Sequence, residues 1–99
     1  MTDDKYTEEF YHDARMQVFP TIFAAMAKWQ ADADAAYAAG DYLTLATATK
    51  HLASLARQLA YGAANEASYT GATWEEIGLI YGITKQAAQQ RFTRPLRDN

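Results

Sequence analysis

The stretch "TKQAAQQRFTRPLR", from Thr84 to Arg97, concentrates side chains suited to reading and gripping a polyanion. Its charged residues, Lys85, Arg91, Arg94 and Arg97, are all positive. On a helix, Lys85, Gln86, Gln89 and Gln90 share an outer face. A glutamine amide can pair with adenine N6 and N7, and lysine can donate to guanine O6 and N7, each good pair discriminating by about 1–3 kcal/mol. Thr84, at the helix start, can offer its hydroxyl and N–H to a phosphate, and Thr73, which opens the preceding helix, is a second candidate of that kind. Arg94 and Arg97 extend the same side toward the backbone. Arg91 has two options, inward against Phe92 or outward to phosphate. Glutamines on a helix are ordinarily just solvated; the turn before them and the arginines after them favour the DNA-reading alternative.

Those side chains need an element that holds them away from the body, and "TWEEIGLIYGITKQAAQQRF" supplies one. Thr73 and Glu76 have capping-box spacing, so a helix starts at Trp74. Ile77, with Ile80 or Tyr81, shares its inner face with Trp74, while Glu75 points to water. Gly82 can take the positive φ that ends the helix, Ile83 plugs the corner and Thr84 caps the next helix. Ala87, Ala88 and Phe92 form the inner face of that helix, and Gly78 allows close approach where the two helices cross. The unit reads as a helix-turn-helix over 72–97, with a recognition helix over 84–94 able to enter a major groove.

At these residues the chain resembles the helix-turn-helix of small actinobacterial and actinophage DNA-binding proteins and, more distantly, region 4 of sigma-70-type factors. Thr73, Trp74, Ile77, Gly78, Gly82, Thr84, Gln86, Ala87, Ala88, Arg91 and Phe92 conform to that pattern. So does the alanine-rich helix ahead of it, "LATATKHLASLARQLAYGAA". Tyr81 departs, standing where an aliphatic is usual, and Lys85 stands where arginine is commoner, which gives up a planar guanine-binding fork. The resemblance covers about a fifth of the chain and implies sequence-specific binding of double-stranded DNA. The acidic amino-terminal third has no counterpart in it.

The remaining sequence must carry this unit. With 99 residues and 49% hydrophobic content, it suits one domain with one modest core. Strand patterning is absent and alanine is abundant, so the expected fold class is all-α: a helical hairpin or bundle with the helix-turn-helix at its carboxy-terminal end. Residues 1–40 hold seven acids against three bases and read as acidic amino-terminal helices. The first begins after Thr2 or Thr7, with Tyr6, Phe10, Ala14 and Val18 as its stripe; Pro20 either starts a second helix or bends one long helix, and a new start near Phe19 is the favoured expectation. There Ile22, Met26, Trp29, Ala33 and Tyr37 form a seam that ends at Gly40. A long helix over 41–69, capped by Asp41, answers with Leu45, Ala48, Leu52, Leu55 and Leu59. Ala24, Ala25, Ala27, Ala53, Ala56 and Ala60 should allow close helix approach.

Composition also excludes. No cysteine means no disulfide framework, thiolate metal site or cysteine nucleophile. No run approaches the roughly 18–20 apolar residues of a membrane span, and the acidic start is unlike a signal peptide, so a bacterial cytosolic location without membrane association is expected. His12 and His51 are isolated, Asp32 and Asp34 lie on different helix faces, and no phosphate-cradling glycine loop occurs. An enzyme is not expected, nor is any metal or cofactor.

The expected function is a phage or prophage-type transcriptional regulator, a repressor, that binds DNA as a homodimer through half-sites one helical turn apart. Tyr6, Phe10, Tyr11 and Phe19 are the candidate dimer residues. The alternatives are a small protein-interaction modulator of a host factor, an architectural or excision-directing DNA binder, or a nonspecific one.

Overall fold

The computed structural model describes residues 7–94, and these are all-α: α1 (Glu8–Ala39), α2 (Tyr42–Tyr69), α3 (Trp74–Tyr81) and α4 (Lys85–Thr93), with no strand among them. Tyr6 and Arg97, both singled out in the sequence, lie outside the described residues. No described helix is long and apolar enough to cross a membrane.

Helix α1 starts at Thr7, whose hydroxyl accepts the Phe10 N–H, and runs for 32 residues with Pro20 inside it. The expected helix start near Phe19 is therefore wrong. Proline φ is already helical, and the N–H that it lacks leaves the Met16 carbonyl on an exposed side, where water can donate to it. The seam residues Phe19 and Ile22 flank Pro20 and keep the helix seated on α2.

Gly40 (φ 70°) ends α1, and Asp41 starts α2 by accepting from the Thr44 N–H and hydroxyl. Those two bonds hold the Asp41 carboxyl below the usual aspartate range. The hairpin register is visible in its contacts. Trp29 stacks on His51 with centroids 4.0 Å apart. Farther down α1 and up α2, Phe19 lies over Gly62, and Arg15 pairs with Glu66.

At the open end, Glu66 accepts from Arg15 Nε at 2.9 Å and hydrogen-bonds His12 Nδ1 at 2.6 Å, while His12 stacks on Tyr69. Burial works against the Glu66 charge, but the hydrogen bonds and positive charge of Arg15 and His12 outweigh it and hold the carboxyl below the usual glutamate range.

Several packing expectations shift by one helical step. The α1 seam passes from Ala33 to buried Ala36, so Tyr37 turns outward with 69% of its surface exposed. Phe10, Ala14 and Val18 are exposed rather than forming an inner stripe. The close approach of α1 and α2 is made by Ala33, Ala36 and Ala48, whereas Ala24, Ala27, Ala53 and Ala56 face water and Ala25 and Ala60 are half-buried. Residue type alone cannot separate these alanines; the seam selects those at its own alternating steps of three and four.

The second core sits where α2 meets α3 and α4. Ala64, Ile77, Ala88 and Phe92 are buried there, with Tyr61, Ala67, Trp74 and Ile83 packed around them.

Candidate nucleic-acid interface

Helix α2 reaches this region through a tight connection. Gly71 (φ 115°) turns the chain, and the Ala72 N–H donates to the Ala67 carbonyl. The Thr73 hydroxyl then accepts from the Glu76 N–H at 3.1 Å, and the Glu76 carboxylate accepts from the Thr73 N–H at 2.8 Å. This reciprocal capping box satisfies two donors that the first turn of α3 would otherwise leave open.

The eight residues of α3 divide into two faces. Trp74, Ile77, Gly78 and Tyr81 face α4 and the core, and Glu75, Glu76, Leu79 and Ile80 face away. Of the alternatives Ile80 and Tyr81, Tyr81 takes the inner place, tilted against Phe92 at 5.1 Å. Ile80 is 80% exposed.

Gly82 (φ 68°) ends α3, and the Ile83 N–H returns to the Gly78 carbonyl at 2.9 Å. Gly78 must lack a side chain: a Cβ there would lie 2.7 Å from the Ile83 carbonyl oxygen and 3.1 Å from that of Thr84. The close approach is therefore between α3 and the backbone of the corner itself. Thr84 caps α4 by accepting the Ala87 N–H at 3.1 Å, which leaves its hydroxyl proton free to donate elsewhere.

Two buried side chains, Ala88 at 0% and Phe92 at 3% exposure, seat α4. Phe92 lies parallel to the Trp74 ring, with centroids 6.5 Å apart. At the far end, Asn65 Nδ2 donates to the Phe92 carbonyl at 2.7 Å and to the Tyr61 carbonyl at 2.8 Å. The last turn of α4 is thus fixed to α2 by a side chain 27 positions away. Sequence reading passed over Asn65, because nothing local marks a polar residue on α2 as a partner for a distant helix end.

Lys85, Gln86, Gln89 and Gln90 are all exposed on this seated helix, and Arg94 is exposed just past its end. Gln86 and Gln90 lie opposite the line through Ala88 and Phe92, and Gln89 and Lys85 lie toward one flank. Ala87, expected inside, is exposed beside Gln86 and Gln90. The helical period explains the correction: with Ala88 and Phe92 four apart on the inner line, Ala87 is rotated about 100° away from Ala88. Ala87 therefore joins the outward surface, where a methyl group can meet a thymine methyl. Thr93 is also exposed, but its hydroxyl donates back to the Gln89 carbonyl.

Two candidate phosphate contacts have particular settings. The Thr73 hydroxyl is engaged with Glu76 as both donor and acceptor, and Glu75 and Glu76 beside it give that end of α3 a negative potential. Arg91 has folded over the aromatic side of the unit, its guanidinium carbon 5.0 Å from the Tyr81 ring centroid and 5.1 Å from that of Phe92. Tyr81, the departure from the aliphatic pattern, supplies that stacking surface. Among the candidate dimer residues, Phe10 and Tyr11 are exposed and pack edge to face at 5.4 Å. Phe19 is half-buried over Gly62, and with Tyr11, Val18 and Tyr61 it lines a groove of about 270 Å³ between α1 and α2.

No family model matches the chain, and no solved structure matches it. Over 45 residues it is 44% identical to an uncharacterized protein of Mycobacterium bovis and to uncharacterized proteins of two Mycobacterium tuberculosis strains. The similar stretch covers 46% of this chain and 18% of each relative, so the chain spans less than a fifth of the length of the curated relatives that it matches.

Proposed function

We propose that α3, the Gly82 corner and α4 form a helix-turn-helix that binds double-stranded DNA sequence-specifically, with α4 in the major groove. The observation that carries this reading is the composition of the exposed side of α4, Lys85, Gln86, Gln89 and Gln90, followed by exposed Arg94 at its cap, without a carboxylate, on a short helix fixed from behind by Ala88, Phe92 and Asn65. Gln86, Gln89 and Gln90 supply amides for base edges, Lys85 a point charge for guanine, and Ala87 an apolar contact. Thr84 and Arg94 contact phosphate, as does Arg97 beyond the described residues. Arg91 reaches phosphate only on leaving the Tyr81 ring.

The biological role that suits this small unit is transcriptional regulation, as a phage or prophage-type repressor in the bacterial cytosol. One such helix with few cations binds modestly, so the regulator acts as a homodimer on two half-sites. Exposed Phe10 and Tyr11 and the groove beside Phe19 offer apolar surface for the second copy.

Titration of duplex DNA with the purified chain tests the division of labour. Gln86→Ala with Gln90→Ala should erase preference among sequences while retaining salt-sensitive binding. Arg94→Ala should weaken binding to all duplexes alike. Wild-type protein that binds no duplex at low salt would refute the reading.

A further inference from the structure

The outward face of α3 has no role in the DNA reading. Leu79 is 77% and Ile80 80% exposed, on a helix whose inward Ile77 is 3% exposed. One turn earlier on the same face stand Glu75 and Glu76. Glu75 makes no ion pair among the described residues, whereas Glu76 is held at Thr73 by the capping box. The capping box also fixes the face rigidly: α3 is pinned at its start by Thr73, at its end by Gly82, and from behind by Ile77 and Trp74.

We propose that this face is a docking surface for another protein, one that offers a small apolar recess for Leu79 and Ile80 rimmed by lysine or arginine opposite Glu75 and Glu76. Charge selects the occupant. Duplex DNA is excluded, because two carboxylates would face phosphates. A second copy is disfavoured, because a two-fold contact through this face sets Glu75 and Glu76 either against the same carboxylates or against Leu79 and Ile80 of the other chain, and in neither arrangement does the face offer them a cation. A basic, apolar-centred partner satisfies both halves of the face. The proposal deepens the DNA reading, resting on it for the orientation of α3, which leaves this face accessible while α4 occupies the groove. A DNA-bound copy could then recruit or block a neighbouring protein.

The test uses the purified full chain without DNA and a displayed library of random peptides about 16 residues long, or about four helical turns. Selection on wild-type protein is counter-selected on a Leu79→Ser, Ile80→Ser variant. Because both positions are exposed, the variant should keep the wild-type melting curve. The expected result is enrichment of peptides that combine aliphatic or aromatic residues with lysine or arginine, and that bind the variant about tenfold more weakly, the scale of a small hot spot. A Glu75→Arg variant, folded independently of the first, should lose the basic peptides and favour acidic ones.

Two outcomes would overturn the proposal: no enrichment over the counter-selected variant, or enriched peptides that are indifferent to Glu75→Arg. Loss of self-association in sedimentation of the serine variant would also overturn it, by giving the face to a second copy. Since the selection omits DNA, failure of the DNA reading leaves its result intact. Duplex titration of the serine variant, expected to match wild type, reports on that reading separately.

Discussion

Asn65 on α2 donates its amide to the main-chain carbonyl of Phe92, 2.7 Å away in the last turn of α4. Carbonyls at a helix end have no partner within the helix, so this bond both satisfies the end of α4 and sets its position against α2. An Asn65→Ala substitution should lower stability by about 1–2 kcal/mol, through two lost hydrogen bonds and a half-buried acceptor left unpaired. Thermal melting would show the loss. Amide exchange would rise in α4 before it rises in α1; uniform exchange through the chain would mean that Asn65 does not localise α4.

Gly78 and Gly82 make a matched pair of tests. At Gly78 an added methyl meets two backbone carbonyl oxygens that belong to the corner, so Gly78→Ala should force α3 away and destabilise by about 1–3 kcal/mol. At Gly82 the space is open but φ is 68°, and Gly82→Ala should cost about 1–2 kcal/mol through backbone strain alone. Replacement by Asn, which tolerates left-handed backbone, should rescue Gly82 in a melting experiment but not Gly78.

The Glu66 contacts predict an acid dependence. Its pKa is lowered in the folded chain, so the folded state binds its proton less readily than the unfolded state. The stabilisation is therefore present above the ordinary glutamate value of about 4.3 and is lost as pH falls below it, through the folded value. Melting temperature measured from neutral to acid pH should fall more steeply for wild type than for Glu66→Gln. Parallel curves would remove Glu66 from the acid response.

Arg91 separates a structural cation from a DNA-binding one. It lies over the Tyr81 and Phe92 rings. Tyr81→Leu removes the nearer aromatic surface and should leave Arg91 freer to reach phosphate, steepening the salt dependence of duplex binding. An unchanged slope would mean that Arg91 contacts no phosphate in either chain.

The local punctuation of this fold was readable in the sequence. Capping at Thr73 and Thr84, and positive φ at Gly40 and Gly82, depend on residues within a few positions of one another. The failures arose where distant packing decides. Pro20 carries a helix-start signal, yet the long seam against α2 keeps α1 continuous through it. Ala87 and Ala88 are identical in type, and only the position of α2 and α3 sends one outward and the other into the core. Between Ile80 and Tyr81 the sequence leaves the inner place of α3 open, and the arc formed with Trp74, Ile77 and Gly78 gives it to Tyr81. Of the candidate interface, the residues on α4 were legible from composition and period, whereas Asn65 became visible only with the fold.

The most direct test of the central claim is selection of random duplex DNA by the purified protein near physiological salt, followed by sequencing of what remains bound. The account predicts an enriched motif, present as paired half-sites about ten base pairs apart and lost when Gln86 and Gln90 are replaced by Ala. A folded protein that enriches no sequence would contradict it.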